Sequence, residues 1–221
     1  MERHSFFRQI HKGIRAVASA LEAEAGRTDF RSREEVQALQ RKVDEAFSVF
    51  ESHAEHENEH FLPLLRVCAP DVAADCEADH RAQELRLRDL RTALSRAAAG
   101  GAKAVALGHA FVLGLSRFHG EMLVHMADEE ERLMPALWAA FDDAALQRVH
   151  RVLLESLSPA EKLASMRFML PALAGSERVA LLAGLRDSAP LAAFEAIARV
   201  AREVLPREEW ARLESDLALA A

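Results

Sequence analysis

The chain has 221 residues, half of them hydrophobic, long enough to bury a sizeable core as one domain with an extension. Ala and Leu dominate while Gly and Pro are few, which excludes a strand-rich fold and predicts an all-α protein. A formal charge of -7, with acidic and basic residues intermixed and no Lys/Arg block interleaved with aromatics, argues against a nucleic-acid partner.

The N-terminus, MERHSFFRQIHKG, has no apolar h-region, and no later stretch reaches the ~18 apolar residues of a membrane span. A cytoplasmic protein without a membrane partner is expected. Cys68 and Cys76 form neither a CxxC pair nor a disulfide framework and read as small packing residues.

Taken in chain order, the spacing predicts a first helix over about 4–25, with His4, Phe7, His11, Ile14, Ala18 and Leu21 on one face and Gly26 ending it. Ser32 with Glu35 reads as a capping box, so a second helix starts near 33. Its inward seam is Leu39, Val43, Ala46, Phe50, His53, Glu57, His60 and Leu64. A third helix starts near Asp71, after Pro70, and runs to Gly100-Gly101 with Ala73, Cys76, His80, Glu84 and Leu87 on one stripe. The fourth carries Phe111, Leu115, Phe118, Met122, His125 and Glu129.

Short connections make sequential helices antiparallel, so residues 1–152 are predicted to form an up-down-up-down four-helix bundle. At ~1.5 Å rise per residue its four seam histidines fall at one level. Ser158-Pro159-Ala160-Glu161, Ser188-Ala189-Pro190 and Pro206 each mark a further helix start, so residues 153–221 read as a helical C-terminal extension. Met166, Phe168, Met169, Leu173, Phe194, Ile197 and Trp210 are its apolar residues. The extension is expected to pack on the bundle or to form a homodimer surface.

One pattern is written twice. His11 precedes His53-x-x-x-Glu57 by 42 residues, and His80 precedes His125-x-x-x-Glu129 by 45. HAEHENEHFLPLL from 53 and HMADEEERLMPAL from 125 match at five of thirteen positions, including the His, the Glu and a Pro ten residues on. The same 72-residue shift superposes Phe111 on Leu39, Leu115 on Val43 and Met122 on Phe50, which suggests a duplicated helical hairpin.

An i, i+4 spacing sets each His one turn from its Glu on the same helix face. Burying two carboxylates in an apolar seam is costly without a compensating cation, and four imidazoles converge with them. Imidazole and carboxylate ligands suit iron, with manganese as the alternative. Two irons are expected, each with two His, bridged by Glu57, Glu129 and a solvent-derived oxo or hydroxo group. One position then stays open for O2, NO or peroxide. Glu57-x-x-His60 and Glu77-x-x-His80 fit a ferritin-like ExxH form, but the first helix offers no Glu near His11. The absence of Tyr excludes a tyrosyl-radical role.

In this ordered pattern, residues 1 to about 140 resemble the hemerythrin-like HHE cation-binding family. The resemblance implies a non-haem di-iron centre with His11, His53, His80 and His125 as terminal ligands and Glu57 and Glu129 as bridges. Oxygen-carrying members have a fifth His one turn after the third-helix ligand, where this chain has Glu84. In that respect it is similar to the bacterial repair-of-iron-centres branch, associated with NO stress and iron-sulfur cluster repair. If Glu84 binds, the site gains a third carboxylate. His56 and His60 are expected to support the ligands, His4 to line the mouth, and His109, His119 and His150 to be solvated or at the rim. Three roles follow as alternatives: an O2 or NO binding protein of stress response, a di-iron oxidoreductase, or an iron store.

Overall fold

A computed structural model describes residues 3–219, and among them every regular element is helical. The first helix, α1 (Arg8–Arg27), begins later than the spacing predicts, because Phe6 and Phe7 turn their rings into the core. Phe6 stacks on Phe61 with centroids 4.1 Å apart, and Phe7 meets the same ring edge-on. Helix α2 (Arg33–His60) starts where Ser32 accepts from the Glu35 amide. The Glu35 carboxylate accepts from the Asp29 amide, so it reaches past the cap to tie down the preceding loop.

The second helix does not continue to Leu64. It stops at His60, turns at Phe61, and a short α3 (Leu62–Cys68) follows. The cause is Pro63, which has no N–H to give the carbonyl one turn back. The second half does the same thing. After α4 (Pro70–Ala98), α5 (Ala104–Asp128) runs into a five-residue π-turn, Glu129–Leu133, and then a seven-residue α6 (Met134–Ala140) with Pro135 in its first turn. Helices α3 and α6 are the same length and stand 72 residues apart. The duplication therefore extends to the breaks after each HxxxE.

Contacts divide the chain into two units. The first comprises the residues before α1 with Val17–His150, so α2, α4, α5 and the latter part of α1 are its long helices. Leu39, Val43 and Phe47 of α2, Leu87 and Leu94 of α4, and Phe111, Leu115 and Phe118 of α5 are buried. Phe118 lies about equidistant from Phe47 and Phe50, at 6.2 and 6.0 Å.

The second unit comprises Arg8–Ala16 and the chain from Arg151 onward, with the end of α7 (Asp143–Ser156), α8 (Pro159–Ala172), α9 (Gly175–Ser188), α10 (Leu191–Val204) and α11 (Arg207–Leu219). Ser158 and Glu161 form a complete capping box on α8. This unit has an apolar core of its own, built on Leu170, Leu182, Ile197, Val200, Leu205 and Leu213, with Met166, Phe194 and Trp210 packed against it. Arg178 is buried at its edge, donating to the carbonyls of Leu170 and Pro171 and pairing with Glu209. Lys12 ties the start of α1 to Glu177 at 2.6 Å. No single described helix is long and apolar enough to cross a membrane.

Candidate metal centre

Glu57 and Glu129 are almost fully buried, in a setting where an uncompensated carboxylate is very costly. Each faces imidazoles. The Glu57 carboxylate lies 3.0 Å from His53 Nε2 through one oxygen and 3.2 Å from His80 Nε2 through the other. Glu129 Oε1 lies 3.1 Å from His125 Nε2 and 3.7 Å from His80 Nε2. The two imidazoles face each other, Nε2 to Nε2, at 3.2 Å. Ligands at ~2.0–2.3 Å from one ion and ~90–110° apart stand roughly 2.9–3.6 Å from each other. The donor atoms already have the spacing of ligands around an ion.

Within the first unit these atoms fall into two groups whose members all lie within 4.8 Å of one another: Cys76, His80, His125 and Glu129 in one, and His53, Glu57 and Glu129 in the other. His11, on the part of α1 that belongs to the second unit, is fully buried. Five residues of the repeated pattern, His53, Glu57, His80, His125 and Glu129, lie together in the first unit, and Glu129 is common to both groups. The donor set fits a pair of cations, and this fit rests on the chemistry and spacing of the residues themselves.

Electrostatics supports the same demand for positive charge. Burial alone would lower the His80 pKa, but hydrogen bonding with Cys76, Glu129 and Glu57 outweighs it and pushes the value up to about 12. His125 is also raised, since Glu129 and Glu57 overcome its burial. Burial pushes the Cys76 thiol up to about 11.

A match to the family model described as the hemerythrin HHE cation-binding domain covers residues 4–137. The chain belongs to this family. No curated protein and no solved structure matches it. The hemerythrin assignment accounts for the cation-binding character of the core, and for residues 4–137 but not the C-terminal extension.

Several expectations are corrected by this hemerythrin-family geometry. Cys76 is buried in the core as expected, and it also stands one turn before His80 within the first donor group. Its spacing on the His80 stripe was a signal open to sequence reading. Glu84 lies outside both groups and is exposed. The buried stripe of α4 passes from His80 to Leu87, seven residues on, and Glu84 sits to one side of it. His56 and His60 are outside the donor groups, as expected of residues that are not themselves ligands.

A residue that orients His80 is Asn58, whose Oδ1 accepts from Nδ1–H at 2.8 Å. On the facing helix, Asp79 Oδ2 lies 3.4 Å from His125 Nδ1. Neither residue carries a motif, because each acts across helices. His119 is not solvated: it pairs with Glu22, which also accepts from Ser116 at 2.6 Å. His150 is half-buried, with Nδ1 3.1 Å from His4 Nε2.

Proposed function

We propose that this hemerythrin-family protein holds two iron ions and takes up O2 or NO there, as a sensor or iron-centre repair protein in nitrosative, oxidative or iron stress. The observation that carries the reading is Glu129, buried and common to two donor groups, which favours a coupled pair over two separate sites. Iron would supply reversible binding of a small diatomic ligand together with one-electron redox changes.

The residues of the chain set what reaches the pair. A cavity of about 420 Å3, open to solvent, is lined by Phe50, Asn58, Arg66, His80, Glu84 and Leu87 among others. His80 is among its lining residues, and Phe50 and Leu87 supply apolar surface to it. Glu84, one turn after His80, is exposed and lines this cavity, so an exposed carboxylate stands where a fifth His would. That arrangement supports kinship with the repair-of-iron-centres branch over the oxygen carriers.

Anaerobic loading with iron, followed by optical and Mössbauer spectra on adding O2, NO and peroxide separately, tests this. Two irons per chain and a stable NO or O2 adduct are the expected outcome; fewer than about one iron would sink it. The cavity is far larger than the ~30 Å3 taken by one water molecule. That size favours, as a second reading, a di-iron oxidoreductase acting on peroxide or a small organic molecule, recognised by turnover in place of a lasting adduct.

A further inference from the structure

The repeated pattern makes the two halves equivalent, but the donor groups it gathers are not. One is wholly imidazole and carboxylate: His53, Glu57 and Glu129. The other includes a thiol. Cys76 Sγ lies 3.6 Å from His80 Nε2 and 3.7 Å from Glu129 Oε1, buried on the same face of α4 as His80. A thiolate at ~2.3 Å and an imidazole at ~2.0–2.1 Å on one tetrahedral ion stand roughly 3.6 Å apart. Ordinary apolar packing does not require a cysteine to face two buried imidazoles and a carboxylate at once.

We propose that Cys76 is a metal ligand, completing a Cys-His-His-Glu position with His80, His125 and Glu129 that differs in kind from the all-nitrogen-and-oxygen position beside it. This rests on the two-metal reading. On loading, the S–H bond breaks, the proton leaves to solvent, and the thiolate sulfur donates its electron pair to the ion, with no change of oxidation state. Thiolate ligation shifts that position's preference towards softer divalent ions such as Zn2+, Co2+ or Fe2+, while the other retains the harder set. Two unlike metals, or two irons of unequal potential, are then the natural filling.

Cobalt(II) is the probe. The full chain carrying Cys68→Ser, so that Cys76 is its only thiol, is loaded with Co2+ and examined by metal analysis, near-ultraviolet absorption and cobalt-edge X-ray absorption. Two cobalt ions, a sulfur-to-cobalt charge-transfer band and one sulfur scatterer at about 2.3 Å are expected. Adding Cys76→Ser should abolish the band while the second ion stays bound, with its affinity lowered about 10–100-fold. Two bound ions with no sulfur scatterer in the Cys68→Ser protein would overturn the inference and leave the two-metal reading standing. No bound cobalt, iron or manganese would overturn both. The scattering measurement needs only the Cys68→Ser chain, so it decides the matter even if Cys76→Ser does not fold.

Discussion

His80 gives its Nδ1 proton to Asn58 Oδ1 at 2.8 Å, and this one bond leaves Nε2 as the nitrogen facing Glu57, Glu129 and His125. The orientation of the His80 ring is therefore set from α2, the helix across from its own. Orienting partners of this kind typically govern metal affinity by about 10–100-fold. Asn58→Leu should weaken the first-filled ion by that factor in a chelator competition, with no change in the number of ions at saturation. An unchanged affinity would mean that α4 packing alone orients the ring.

Glu129 should be the residue on which both ions depend. It is a member of both donor groups, whereas His53 and His125 each belong to one. Glu129→Ala is expected to reduce the metal content of the loaded protein towards zero, and His53→Ala or His125→Ala to leave about one ion. The double change, His53→Ala with His125→Ala, should bind neither tightly. Metal analysis after gel filtration reads all four proteins, and an unaltered content in the double variant would sink the shared centre.

The His4–His150 pair makes a prediction about acid stability that is separate from the metal ligands. Burial, reinforced by the nearby His4, lowers the His150 pKa to about 4. The folded state thus resists a proton that the unfolded chain accepts near pH 6.5. Stability from this group is fully present above pH 6.5 and is lost as the pH falls towards 4, by at most roughly 3 kcal/mol. In urea titrations from pH 7 to pH 4, the wild-type protein should lose more stability than His150→Gln by about this amount. Parallel curves would show that His150 takes up its proton in the folded state.

The fold and the six residues of the repeated pattern were legible because their signals are local. An apolar seam repeats at helical spacing, a His and a Glu four residues apart share a face, and both halves contain them. What escaped was set by tertiary geometry or by an ordinary residue type. Cys76 lies on the predicted stripe of His80, yet a buried Cys is so often a packing residue that its neighbours had to be known first. Glu84 was placed on that stripe because both i+3 and i+4 neighbours were open, and the helix buries the seven-residue step to Leu87. Asn58 and Asp79 act across helices and leave no spacing to read. The end of α2 was legible in Pro63, since a missing N–H breaks the ladder regardless of the seam around it.

The packing of the loop before α2 can be tested at Gly108. A Cβ added there would stand 2.1 Å from Phe30 Cγ and under 2.5 Å from two more atoms of the ring, so the ring lies flat against the bare α5 backbone. Only a residue without a side chain permits this approach. Gly108→Ala must push Phe30 outward, and overpacking of this sort costs about 1–3 kcal/mol, set against the small gain in helix propensity. A lower thermal midpoint is expected, with metal content unchanged because neither residue belongs to a donor group. Phe30→Ala should also destabilise, but the two changes together should cost less than their sum, since removing the ring removes the clash. Strict additivity would mean that the Phe30 ring moves aside freely and that Gly108 is tolerant of a side chain.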